Sequence, residues 1–210
     1  MKNKITLIIF FLFFNFLTIN NLLGEEIVFE TPEIEVFENG NLLKAHKGGK
    51  AKTGKNIEII ADKFEYNKST SILTANGNVL ANDSLNKTSI KAEEIEYNSK
   101  TLKIIATKNV EVKDDLNKVI IYANRIIYLI NEKKVFSEGI ANIIVENKYN
   151  VNSSDIVFLK NEMQIFSDKF TTLKEKKENF YTADNFNYQI KNELFRGKKI
   201  NLNTKKKTNI

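Results

Sequence analysis

The sequence predicts an all-β protein, elongated and built from repeated antiparallel hairpins of about 30 residues. Three observations predict it: a phrase that returns at steps of 30 or 31 residues, apolar/polar alternation inside the units, and no sustained 3.6-residue pattern.

The phrase begins as Ile59-Ile60-Ala61-Asp62-Lys63-Phe64-Glu65-Tyr66-Asn67 and returns as Ile90-Lys91-Ala92-Glu93-Glu94-Ile95-Glu96-Tyr97-Asn98. Further copies start at Ile121, Val151 and Tyr181. A small residue falls at 61, 92, 123, 153 and 183. Thr31, Ile34 and Val36 mark a degenerate copy upstream. The second half of each unit keeps register too. Leu43, Leu73, Ile104, Val135 and Ile165 form an aliphatic column, and Ala45, Ala75, Ala106, Ser137 and Ser167 a small one. Val79, Val110, Ala141 and Thr171 form a third. Columns that keep their character imply side chains stacking on their equivalents.

Each unit reads as two strands. In the second, Leu73, Ala75, Gly77, Val79 and Ala81 alternate with Thr74, Asn76 and Asn78, which puts one face dry and the other wet. Asn67-Lys68-Ser69-Thr70 and Asn98-Ser99-Lys100-Thr101 are turn sequences. Ala61 and Phe64 have opposite parity, so a bulge or a change of face is expected between them. Six hairpins give about twelve strands. At about 4.8 Å per strand, two facing sheets would measure roughly 30 Å, and one continuous curved sheet twice that. The sole proline, Pro32, belongs on an edge.

Of 210 residues, 42% are hydrophobic and 28% charged, enough to bury a core. There is no cysteine, which excludes disulfides and thiolate metal sites, and there is one histidine. Residues 1–24 read as a secretory leader: Lys2 and Lys4 form the positive region, Ile5 to Leu17 the apolar run, and Gly24 a cleavage point. An uncleaved anchor is the alternative. The expected domain is 25–203, followed by a basic tail, 204–210, with Lys205-Lys206-Lys207. Net charge +6 falls to about +4 without Lys2 and Lys4, compatible with an anionic partner or with lysine-rich coding bias.

Ala61-Asp62-Lys63-Phe64-Glu65-Tyr66-Asn67, a turn, and Leu73-Thr74-Ala75-Asn76-Gly77-Asn78-Val79 together resemble the organic-solvent-tolerance (OstA-like) domain of the lipopolysaccharide export family. The resemblance covers about residues 27–203. It implies an elongated, twisted antiparallel β-jellyroll that holds acyl chains, and a periplasmic location with outer-membrane association. It also implies two kinds of partner: lipopolysaccharide, and other export proteins docked edge to edge, with head-to-tail self-association as a further expectation. The family includes the free periplasmic bridge and the N-terminal domain of the outer-membrane translocon. Phe29-Glu30-Thr31-Pro32-Glu33-Ile34-Glu35, Asn39-Gly40 and Lys47-Gly48-Gly49 are more similar to the latter. No barrel sequence follows Ile210. A stand-alone carrier and an N-terminal piece of a longer translocon both stay open.

The expected function is non-enzymatic transport of lipopolysaccharide, without cofactor or metal. Leu73, Val79, Ile104, Val110, Val135 and Ile165 are the candidate groove wall, with ordinary core packing as the alternative. Burying about a dozen methylenes is worth up to about 10 kcal/mol, against about 0–1 kcal/mol for each exposed lysine–phosphate contact. Apolar columns should therefore dominate affinity. The aromatic column Tyr66, Tyr97, Tyr128, Phe158 and Tyr188 reads as a strand-end packing ladder with its hydroxyls at the rim, with a carbohydrate- or base-stacking ladder as the alternative. His46 reads as a surface residue, Asp114-Asp115 as a turn, and Gly48-Gly49 as a turn rather than a phosphate loop. Two rivals are a structural adhesin or stalk and a β-solenoid enzyme acting on polysaccharide. The latter lacks a persistent acidic column, because the position of Asp62 becomes Glu93 and then Asn124. Nucleic-acid binding is disfavoured by export and by having only Arg125 and Arg196 as arginines. The docking edges are expected near Ile34 to Phe37 and Lys199 to Asn203.

Overall fold

The computed structural model describes residues 27–176 and 179–203; the expected leader and basic tail lie outside them. The chain runs up and down twelve times. The first three legs are broken at mid-length: β1 (Ile27–Glu30) with β2 (Glu35–Phe37), β3 (Leu42–Ala45) with β4 (Gly49–Thr53), and β5 (Ile57–Ala61) with β6 (Lys63–Asn67). Five continuous legs follow: β7 (Ile72–Asp83), β8 (Thr88–Asn98), β9 (Lys103–Asp114), β10 (Val119–Leu129) and β11 (Lys134–Val145). Four more are broken: β12 (Tyr149–Ser154) with β13 (Val157–Leu159), β14 (Gln164–Ser167) with β15 (Thr171–Glu175), β16 (Phe180–Ala183) with β17 (Asn185–Gln189), and β18 (Leu194–Lys198) with β19 (Asn201–Asn203).

Each leg pairs antiparallel with its neighbours in sequence, the two end legs on one side only among the described residues, and every leg bends at its middle. The bend divides the meander into two layers that face each other. Layer A runs β1, β4, β5, the second half of β7, and on to β12, β15, β16 and β19. Layer B runs β2, β3, β6, the first half of β7, and on to β13, β14, β17 and β18. Both layers are thus twelve strands wide, roughly 50 Å at 4.8 Å per strand. The longer of the two expected dimensions applies, because each leg serves both layers.

The bend is written in the sequence. Gly77 (φ +78°) and Asn78 (φ +48°) break β7, and Lys108 and Asn109 (φ +66° and +54°) do the same 31 residues later. A Cβ on Gly77 would stand 2.5 Å from a carboxylate oxygen of Asp62, so this position requires glycine on two counts. The register of β7 against β8 shifts between Asn76 and Val79. The shift re-aims the alternation, so that residues on both sides of the bend point inward. Ala61 and Phe64 are accordingly both buried, the change of face expected from their parity. Pro32 lies between β1 and β2 on the first leg, where only one side is paired.

Inward rows cross all twelve legs. In layer B one row reads Val36, Leu43, Tyr66, Leu73, Tyr97, Ile104, Tyr128, Val135, Phe158, Ile165, Tyr188, Phe195. The two columns read from the sequence are neighbours here, interleaved as aliphatic and aromatic. The next row alternates small and large, as in Ala45, Phe64, Ala75, Ile95, Ala106, Ile126 and Ser137. Each small side chain leaves room for its large neighbours. Layer A supplies the opposing row from Phe29 through Ile59, Ile90 and Ile121 to Leu202.

Candidate functional site

The six candidate wall residues lie on the inward faces, none more than 2% exposed. Leu73, Ile104, Val135 and Ile165 occupy one layer B row, each between two aromatic neighbours. Val79 and Val110 sit in layer A just past the bend. The structure therefore brings four of them into one line and places two on the facing wall. All six pack in the hydrophobic core between the layers. Val110 also borders a surface hollow of about 450 Å³ near the bend, with Tyr122, Asn124 and Ile140.

The aromatic column is interior. Tyr66, Tyr97, Tyr128, Phe158 and Tyr188 are all buried. Across the layers Phe29 meets Phe64 and Tyr66 at ring separations of 5.8 and 6.2 Å, and Tyr149 meets Tyr188 at 5.6 Å. Packing is thus the column's role, as the sequence suggested, except that the hydroxyls are not at an open rim. Tyr128 donates to Asp83 Oδ2 at 2.8 Å in the interior. Burial, then the Asp83 carboxylate, pushes the Tyr128 phenol above its ordinary range, so it stays neutral and donates. The Tyr188 hydroxyl is buried with no hydrogen-bond partner.

A polar cluster beside this column escaped the sequence reading. Asp114 is the last residue of β9, at the layer A margin opposite the bend. Its neighbour Asp115 is exposed and pairs with Lys113, but the Asp114 side chain is 1% exposed and lies 2.9 Å from Lys160 Nζ, itself 3% exposed. The reading of Asp114-Asp115 as a plain turn holds for Asp115 and fails for Asp114. Lys160 follows β13 at the layer B margin and also donates to the Asn86 carbonyl at 3.2 Å and to Thr88 Oγ1. Its ammonium stands 5.4 Å from the Tyr128 ring centre. Asp83 and Asp114 each accept the backbone N–H three residues on, from Asn86 at 2.9 Å and Asn117 at 2.8 Å. That asparagine–carboxylate turn pulls each carboxylate inward. The signal was available: Lys160 interrupts a column whose members one repeat away are Ile130 and Ile190.

His46 is exposed, 3.9 Å from Glu35. Gly48 and Gly49 take positive φ at the mid-leg bend between β3 and β4, Gly49 as the first residue of β4, rather than at a turn between legs. At the two ends, the first leg pairs only with the second and the last only with the eleventh among the described residues. The expected edges, 34–37 and 199–203, are therefore open strand margins.

No family model and no curated protein matches the chain. Among solved structures, it is similar to the crystal structure of LptH, described as the LptA-homologous periplasmic component of the lipopolysaccharide transport device of Pseudomonas aeruginosa. Identity is 11%, the TM-score is 0.42, and the alignment covers 70% of this chain and 94% of LptH.

Proposed function

We propose that the chain is a non-enzymatic periplasmic carrier of lipopolysaccharide that holds acyl chains between its layers and docks edge to edge with other export components. One observation carries this reading: an apolar core between the two layers, bordered on one side by a buried polar cluster, runs along the meander and ends, among the described residues, in unpaired strands at both extremities. The repeated Ala-Asp-x-Phe-x-Tyr-Asn phrase and the secretory leader support it from the sequence. An interior of this kind suits alkyl chains, because each methylene withdrawn from water contributes about 0.8 kcal/mol.

A structural stalk is the second reading, favoured by how tightly the six wall residues pack. The solenoid-enzyme rival loses its architecture, since the strand pairings are antiparallel between successive legs rather than parallel between coils.

Photocrosslinking separates the first two. Benzophenone probes at Ile104 and Val135 should label lipopolysaccharide more strongly than a probe at Asn109, which is exposed at the bend. Equal labelling at all three positions would remove the interior from the binding site and leave the stalk.

A further inference from the structure

The two layers are held together differently on their two long sides. At the bend, all twelve backbones pass from one layer to the other. On the opposite side the hairpin turns of layer A face those of layer B, and among the described residues the hydrogen bonds and ion pairs between them involve side chains. The backbone bonds there run along each margin, as in Ser99 to Ser71 and Asp115 to Lys87. This seam has a regular construction. Tyr128 reaches Asp83 over 2.8 Å, Lys160 reaches Asp114 over 2.9 Å, and Lys148 reaches Glu193 over 2.6 Å. The paired residues are 45, 46 and 45 positions apart, one and a half repeats each time. Three polar rungs therefore tie the seam, the first two buried and the third half-exposed, and the two layers can part only along it.

The middle rung is ionic although it is buried. One repeat later the equivalent positions are Val145 and Ile190, both buried and aliphatic. Opening an apolar rung exposes hydrocarbon to water. Opening the Lys160–Asp114 rung instead returns two charges to water, which recovers hydration lost on closing. A buried ion pair is thus a fastening that releases more easily than aliphatic side chains at the same two positions would.

We propose that this seam is the line along which lipid passes sideways into the interior, and that the Lys160–Asp114 rung is its releasable catch. The inference rests on the carrier reading and adds the route and the residues that govern it.

The absence of cysteine makes the test clean. Lys148→Cys with Glu193→Cys, joined by a short bis-maleimide, staples the seam. Lys44→Cys with Glu65→Cys, whose native side chains sit 2.9 Å apart within layer B, is a staple that does not cross it. Loading is followed with lipopolysaccharide micelles and a benzophenone probe at Ile104. The seam staple should cut labelling at least tenfold, while the within-layer staple and a seam pair capped with monofunctional maleimide label like the unmodified chain. The variant Lys160→Ile with Asp114→Val, which copies the aliphatic residues one repeat on, should load at least threefold more slowly. Full loading through the stapled seam would overturn the route and leave the carrier reading standing. Unchanged loading in the aliphatic variant would overturn the catch. Failure of every form to load, the unmodified chain included, would sink the carrier reading and the route with it.

Discussion

Replacing Lys160 alone by isoleucine should damage the protein far more than replacing Lys160 and Asp114 together. Lys160 Nζ has four interior partners: Asp114, the Asn86 carbonyl, Thr88 Oγ1 and the Tyr128 ring. Without it the Asp114 carboxylate keeps only hydrogen bonds from Asn117, at 2.8 Å from the backbone and 3.4 Å from the side-chain amide. A carboxylate this deeply buried and stripped of its cation costs about 3–5 kcal/mol. Isoleucine fits the column that holds Ile130 and Ile190, so little packing is lost. Converting Asp114 to valine, the residue type of Val145, removes the orphan charge and should return stability to within about 1 kcal/mol of the parent or above it. Urea unfolding of the parent, both single variants and the double variant gives the coupling as a double-mutant cycle. A loss below about 1 kcal/mol for Lys160→Ile would mean that the ion pair is not desolvated and that the seam is open to water.

The two interior tyrosines should respond to phenylalanine with opposite signs. Tyr188→Phe removes a buried hydroxyl without a partner and should stabilise by about 1 kcal/mol, whereas Tyr128→Phe breaks a bond to a carboxylate and should cost about 1.5–3 kcal/mol; thermal melts of the two variants check this. Glu193 is held below its ordinary value of 4.5, chiefly by its hydrogen bond from Lys148. A depressed carboxylate contributes stability above its unfolded value and loses it as pH falls through the folded one. An NMR titration should therefore place Glu193 below 4.5, and Lys148→Met should move it up toward that value. Gly77→Ala, which meets the Asp62 side chain at 2.5 Å with φ +78°, should destabilise more than Gly139→Ala, where φ is +74° and nothing stands within 4 Å; denaturant midpoints compare them. Leu202→Pro on the last strand should abolish head-to-tail self-association measured by light scattering, and unchanged association would mean that this edge is not the docking surface.

The period of the fold was legible because an antiparallel meander puts residues two legs apart in equivalent places. Equivalent places select equivalent side chains, which is why Leu73, Ile104, Val135 and Ile165 share one row. The change of face between Ala61 and Phe64 was legible from parity. The folding of one meander into two layers was not, because alternation restarts after the bend and reads the same for one curved sheet or two. Contacts between layers leave no periodic mark of their own. They join residues 45 or 46 apart, a spacing at which the chain shows no likeness, so Asp83 with Tyr128 and Asp114 with Lys160 could not be paired by inspection. Only the departure of Lys160 from the column of Ile130 and Ile190 was visible.

That spacing also accounts for the ends of the molecule. One and a half repeats are three legs, so at the seam each layer A leg faces the layer B leg three further along the chain, a slide of roughly 14 Å at 4.8 Å per strand. Twisted layers joined along a bend slide in this manner, because the strands cannot stay perpendicular to both margins at once. The slide must leave layer B overhanging at the start of the chain and layer A overhanging at its end. The inward rows show it: Val36 in layer B is 61% exposed and Leu202 in layer A is 53% exposed, while Phe29 and Phe195, their counterparts in the other layer, are half-buried. The two overhangs are apolar, lie at opposite ends and belong to opposite layers. A second chain placed head to tail would extend both layers and cover Val36 of one copy and Leu202 of the other together. The same slide that sets the rungs of the seam therefore also shapes the surfaces proposed for docking. A chain that associates with Leu202→Asp as readily as without it would separate the two.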